Sequence, residues 1–567
     1  MSDGRVALLD RLAARRALLH RPARRFATIP EPASLGLPER GRWLLAGSFL
    51  VEGRLVQAPG AAPWEVPGAG PGQTAEAHGF AWLDDLAGLG DRPARALARD
   101  WTFRWIARFG RGRGPGWTPA LAARRLGRWM SHAALLTEAQ GRDQATLARA
   151  ASQTLRFLDL RWTTARGLAR IEALAAILRA GLALEGMERH VGAAATALGR
   201  EAEAQVDAHG AIASRSPEDL ALLFALLAEA EAALTAAGRP VAEPHRAALR
   251  RIAPVLRTLR HSDGGLARFH GGGRTVAERV ERALAAATAP PLRTEGAAMG
   301  YLRLSVGRTS VIVDAADPPA GPHGHASTLG FEMSSGRRPV IISCGSGRAW
   351  GAEWHRAGRA TPSHSTLAVE GFSSSRLGRS GEEMTERARV LSAHRQRSAA
   401  GAQLSLVHAG WAETHGLTHR RELLLAPDGR SLSGADTLAA LTAAEKKRLE
   451  TVLKSAGGQG VRFALRFHLH PDVRPTVEGG GLCVGLRLAS GEGWSFQFEG
   501  EARLTLDPSV YLDRTHLLPR ATKQIVLHGV LVSSEARIGW TFAKTEDTPL
   551  AIRDLDRPDL PDPPDRP

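Results

Sequence analysis

Apolar side chains in the first half of the chain recur at steps of three and four. Ala122, Leu126, Trp129, Ala133 and Leu136 share one helical face, and Leu168, Ile171, Leu174, Leu178 and Leu182 repeat the pattern in the next long segment. Ser216-Pro217-Glu218 predicts a further helix start, an N-cap serine followed by a first-turn proline. Glycine and proline clusters at 111–119, 208–211 and 262–265 separate these segments. From about Trp82 to Ala287 the chain therefore reads as helical hairpins, in a bundle or an α/α toroid.

The period then changes. Residues 286–296 form a proline-bearing linker, after which Tyr301–Val306 and Val311–Val313 read as strands joined by a Gly307-Arg308 turn. Val461, Phe463, Leu465, Phe467 and Leu469 alternate with Arg462, Ala464, Arg466, His468 and His470, which predicts a strand with one buried face and both histidines at the surface. Gln524–Val532 gives another apolar strand, and turn signals recur at spacings suited to a large β-sandwich. The predicted organisation is a basic amphipathic segment (1–35), an α/α toroid (36–290), an antiparallel β-sandwich (297–548) and a proline-rich tail (549–567).

Composition narrows the function. Lys plus Arg number 74 against 58 Asp plus Glu, a net charge of +16, and lysine stands at only five positions. That balance suits a polyanionic partner, although an Arg-rich composition also follows from a GC-rich coding sequence. No helix-turn-helix, zinc-finger or RNA-binding signature is present, so no specific nucleic acid is expected. Gly271-Gly272-Gly273 lacks the ending of a phosphate loop. The two cysteines, Cys344 and Cys483, form no disulfide framework. The longest apolar run, Leu220–Ala228, is too short to span a membrane. Arg11, Arg15 and Arg16 interrupt the N-terminal apolar stretch, so the segment reads as an amphipathic helix on an anionic surface or docked on the body. A cytoplasmic chain is expected, with the periplasm as the alternative.

Histidines gather where the β half begins: His323, His325, His355 and His364, with Glu332 and Arg359 close in sequence. His323 and His325, two apart, would point the same way on an extended segment. The order helical half, linker, PHGHASTLGFEMSSGRRPVIISCG, then SHSTLAVEG resembles the heparinase II/III family of polysaccharide lyases, over roughly residues 80–545. The resemblance implies a toroid, a sandwich and a substrate cleft between them. It puts His323 at the family's catalytic histidine, and His325 and His364 at two ligands of a structural zinc. The third ligand, an aspartate in the family, falls on Ser343, with the better donor Cys344 beside it.

A uronate lyase neutralises a carboxylate, removes the α-proton and protonates the leaving oxygen. The family's asparagine and toroid tyrosine have no counterpart, because the chain has no Asn and its two tyrosines, Tyr301 and Tyr511, lie in the β half. Arginine can replace the asparagine through its fork. The candidates are Arg161 and Arg215 for neutralisation, His209 for proton transfer, and Trp162 and Arg359 for substrate binding. Two functions follow: a lyase that cleaves acidic glycans by β-elimination, or a catalytically reduced relative that binds anionic polysaccharide or cell-envelope polymer.

Overall fold

A computed structural model describes residues 3–548 except 32–35, 69, 138–140, 274–276, 287–297, 380, 514 and 517. The predicted linker beyond 286 and the predicted tail lie outside the described residues. The helices form where the apolar period predicted them. Ala122, Leu126 and Trp129 are buried on the helix Pro119–Ser131, and His132 breaks it before a last turn at Ala133–Leu136. Leu168–Ala183 is buried on almost every side, as befits a helix inside the helical half. Ser216 caps Pro217–Ala236, its hydroxyl accepting from the Asp219 N–H at 3.2 Å.

The N-terminal segment is a helix, Asp3–Ala17, and it docks on the body. Ala13, Ala14 and Ala17 are buried, and Asp10 accepts from Arg161 Nε at 2.7 Å. No helix among the described residues is long and apolar enough to cross a membrane.

The β half is two antiparallel sheets around one apolar core. Edge to edge, the first runs Val390–Ser398, Gly401–Trp411, Leu417–Leu425, Ser431–Ala439, Glu535–Glu546, Gly493–Glu499, Cys483–Arg487 and Arg474–Glu478. The second runs Arg503–Tyr511, Arg520–Leu531, Val461–Leu469, Arg338–Ile342, Phe331–Ser335, Thr309–Asp314 and Tyr301–Val306, with Leu367–Val369 also paired to Val461–Leu469. Alternate side chains of both sheets, among them Phe331, Phe467, Phe496, Trp540 and Phe542, fill the space between them.

One strand expectation is corrected. His468 and His470 sit on the polar register of their strand but are buried. His468 is covered by a loop and a neighbouring strand, with Nε2 donating to the Pro362 carbonyl at 2.9 Å and Nδ1 lying 2.7 Å from Ser509 Oγ. Cover from residues distant in sequence leaves no mark on the local alternation.

Candidate functional site

The site lies where the helical half meets the first loops of the sandwich. The stretch carrying His323 and His325 is held by Arg359, whose Nε donates to Gly324 O at 2.7 Å and whose Nη1 donates to Gly381 O and Glu382 O at 3.0 Å each. Gly324 is a steric requirement here, since a Cβ would sit 2.2 Å from the Pro319 carbonyl oxygen. The Gly324 N–H closes a turn onto Gly321 O at 3.0 Å. This turn overturns the expectation of a same-facing pair. His323 stays at the rim with its side chain 20% exposed, whereas His325 is fully buried. His323 Nε2 lies 3.8 Å from Asp219 Oδ2, a carboxylate in the first turn of its helix. Its other edge packs on Gly271, where a Cβ would come within 2.9 Å of Nδ1.

Beneath the rim is a buried cluster. The Gly271 N–H donates to His325 Nε2 at 2.9 Å, and the His325 N–H donates to His270 Nδ1 at 3.1 Å. His270 Nε2 faces Asp314 Oδ2 at 3.2 Å. The rings of His325 and His364 are 5.2 Å apart, and neither nitrogen of His364 has a hydrogen-bond partner of ordinary geometry. Burial pushes His364 down to about 3 and His325 well below the usual imidazole value, with neighbouring imidazoles adding to the effect in both. Both rings are therefore neutral near pH 7. Burial alone would raise Asp314, but Arg215, His270 and the Ser327 hydroxyl at 2.6 Å hold it below the usual carboxylate range.

Arg215 is the centre of this junction. Its guanidinium donates to Met299 O (3.0 Å), Ala316 O (3.1 Å), Asp317 O (2.7 Å), Gly300 O (2.9 Å) and Asp314 Oδ1 (2.5 Å). Tyr301 Oη donates to the Arg215 carbonyl at 2.7 Å, and burial raises that phenol well above its ordinary value. A parallel clamp stands at Arg268, which donates to Ser343 O, Cys344 O and Leu512 O, while its own N–H donates to Glu332. His261 Nε2 lies 2.9 Å from the second Glu332 oxygen, Oε2.

The remaining candidates fall elsewhere. Arg161 ends the helix Arg142–Arg161, and its Nε donates to Asp10; Trp162 follows, half-buried against the helical core. His209 is exposed in its loop. Cys344, two residues past the end of the strand Arg338–Ile342, is not grouped with the histidine pair: its Sγ lies 3.6 Å from His468 Nδ1 and 3.9 Å from Ser509 Oγ. Ser343 Oγ is buried without a hydrogen-bond partner. The donor set for a zinc is thus two imidazoles and a neutral hydroxyl. Among the described residues no group of three or more His, Cys, Asp or Glu side chains is arranged to hold a metal. These residues do not fit a zinc site.

Sequence reasoning missed Asp314 and Asp219. Asp314 ends a strand that is otherwise buried throughout, Thr309–Asp314, and a carboxylate there requires a cationic partner. Asp219 offered only the signature of a helix first turn.

Residues 288–541 match the family described as heparinase II/III-like, C-terminal. FtsZ-localized protein C of Caulobacter vibrioides is 32% identical over 555 residues, covering 93% of each chain. The crystal structure of a heparinase III aligns over 94% of this chain and 89% of that one, with a TM-score of 0.64 at 14% identity. Heparan sulfate lyase HepC from Pedobacter heparinus aligns over 96% and 89%, with a TM-score of 0.53 at 14% identity. At these identities the solved structures establish a shared fold, a helical toroid ahead of a β-sandwich.

Proposed function

Because the chain belongs to the heparinase II/III-like family, we propose that it is a catalytically reduced member that binds an acidic glycan or cell-envelope polymer. The observation that carries this reading is the saturation of Arg215 and Arg359. Each spends its donors on backbone carbonyls, and Arg215 adds the buried Asp314, so neither fork is open to a substrate carboxylate. Tyr301, which opens the sandwich, is buried and donates to a backbone carbonyl, so it offers no phenolate for proton abstraction. β-Elimination needs the carboxylate neutralised before the α-proton becomes acidic enough to remove, and neither Arg215 nor Arg359 has a guanidinium nitrogen left for that role. The net charge of +16 supports attraction to polyanions.

The name of the Caulobacter vibrioides relative places that protein with FtsZ. Similarity along nearly the whole of both chains supports the same placement for this chain. A fluorescent fusion that follows FtsZ through the cell cycle is the expected result, and a signal independent of FtsZ would remove this part of the reading. A cytoplasmic location, expected from the N-terminal pattern, belongs to the same proposal.

The binding half is tested by passing the full chain over immobilised acidic and neutral glycans. Retention on the acidic matrix alone, eluted by rising salt, is expected because screening weakens exposed charge pairs. Equal retention on both matrices, insensitive to salt, would overturn it.

The second reading, a working lyase, is favoured by His323, which remains at the rim 3.8 Å from Asp219. An imidazole there would take the α-proton and pass it to the C4 oxygen as that bond breaks, giving an unsaturated uronate on one fragment and a free hydroxyl on the other.

A further inference from the structure

We propose that Ser334, His261 and Glu332 form a nucleophile, base and orienting carboxylate that together hydrolyse a short-chain acyl ester. The activity is separate from the acidic-glycan reading above and from His323. Along the strand Phe331–Ser335, Phe331 and Met333 enter the sandwich core, which turns Glu332 and Ser334 to the opposite face. That face meets the helical half, because Ile312, directly across from Glu332, packs in the helical core. His261 arrives from the loop after the helix Glu243–Thr258. Its N–H donates to Gly265 O at 2.8 Å and its carbonyl accepts from the Gly264 N–H at 3.0 Å, so a tight turn fixes it there.

The three groups stand within hydrogen-bond reach in series. Glu332 Oε2 lies 2.9 Å from His261 Nε2, while Oε1 accepts from the Ser343 N–H at 3.1 Å and the Arg268 N–H at 3.2 Å. A carboxylate fixed in this way accepts from Nε2–H, which leaves Nδ1 as the acceptor of the ring. Ser334 Oγ stands 3.1 Å from Nδ1 and donates to it. A serine whose proton is held by an imidazole, itself oriented by a carboxylate, is activated for acyl transfer. Ser310 supplies a fourth part. It lies directly across from Ser334 on the neighbouring strand, and its hydroxyl is buried without a hydrogen-bond partner. Cross-strand partners hold their Cβ atoms about 4.5–5.5 Å apart, so this hydroxyl is in place to donate to an oxyanion formed at Ser334.

The size of the substrate follows from the approach. Pro339, the partner of Ser334 on the other neighbouring strand, and Asp263, two residues beyond His261, both line a cavity of about 210 Å³. That is below the roughly 300–1,000 Å³ of sites for drug-sized ligands, and Val473 and Leu488 give it an apolar wall. Ser334 is buried and does not itself line the cavity, so an acyl group that reaches past Pro339 to it must be short. In the reaction, Ser334 Oγ bonds to the ester carbonyl carbon as its proton passes to His261 Nδ1, and Ser310 donates to the carbonyl oxygen. The bond from that carbon to the alcohol oxygen then breaks, and His261 gives the proton to the departing alcohol. Water repeats the sequence on the acyl-serine: its oxygen bonds to the carbonyl carbon, the bond to Oγ breaks, and His261 carries the proton back to Oγ. The products are a carboxylic acid and an alcohol.

The test is covalent labelling of the full chain with a fluorophosphonate, which bonds to serines activated in this way, followed by peptide mapping. The para-nitrophenyl esters of acetate and octanoate serve as turnover substrates. A single label on Ser334 is expected, with the acetate ester hydrolysed and the octanoate ester not. Ser334→Ala should remove both label and turnover, whereas Ser335→Ala, at a buried hydroxyl outside the triad, should keep both. His261→Ala should slow labelling about 100-fold or more, as loss of a general base does, and added imidazole should restore part of the rate. Glu332→Gln offers His261 a donor in place of an acceptor and should slow labelling comparably, with Glu332→Asp recovering part of it. Because the mapped label in the parent carries the result, a variant that fails to fold does not shield the proposal. No label on Ser334, acetate turnover that survives in S334A, or a parent-like rate in H261A would overturn it. So would hydrolysis of the octanoate ester as fast as the acetate.

Discussion

Arg215 shows how a residue suited to one role becomes committed to another. Its position before a capped helix and its charge are legible in the sequence, but its five acceptors come from residues 84 to 102 positions away. Nothing local encodes that convergence. Asp314 is fully buried, so removing its partner leaves an uncompensated charge. Arg215→Ala should lower the unfolding free energy by about 3–5 kcal/mol, and Arg215→Lys should recover only part of it, since a point charge cannot replace the fork. Chemical denaturation measures this, and an unchanged midpoint in the alanine variant would refute the clamp. His364 is the opposite case. The motif located it, but among the described residues no third donor joins the pair, and its ring stacks on Phe269 at 6.2 Å and 26°. His364→Phe should cost no more than about 1.5 kcal/mol, because an apolar ring of similar size replaces nitrogens that hold no hydrogen bond of ordinary geometry. A collapse of stability in H364F, with metal found in the parent protein by elemental analysis, would instead establish a zinc site.

At the scale of elements, the strand Val461–Leu469 was legible in its alternation and illegible in its cover. The histidines on its polar register are buried by Pro362, Ser509 and Tyr511, each distant in sequence. Burying neutral imidazoles has a consequence for acid stability. His78 and His470 are pushed to about 4 and His364 to about 3, in each case chiefly by burial, and His325 and His408 also lie well below the ordinary value. The unfolded chain takes up these protons near pH 6.5 and the folded chain does not. Stability is therefore full above about pH 6.5 and falls as pH drops towards the folded values. The depressed carboxylates Asp84, Asp314 and Asp436 add a further loss below about pH 4. The denaturation midpoint should be lower at pH 5 than at pH 7.5; a flat or rising profile would contradict the buried, neutral state.

At the scale of the whole molecule, the change from helical to strand period near residue 295 was enough to place an all-α half before an all-β half. The order of those halves and the histidine stretches pointed to the family. What the pattern could not show is how the halves are locked. Arg215, Arg268 and Arg303 all donate across the junction to backbone carbonyls, so part of an arginine content that looks like surface charge is internal wiring. This separates the chain's fold from its chemistry: the lyase architecture is kept, while the groups placed at the junction hold the two halves together. The lyase reading depends on one residue at the rim, His323. The most direct measurement is to incubate the full chain with a panel of acidic glycans and follow the ultraviolet absorbance of an unsaturated uronate. No time-dependent rise is expected, even with glycans that retain the chain on a column. A steady rise that disappears in a stably folded His323→Ala variant would contradict the account.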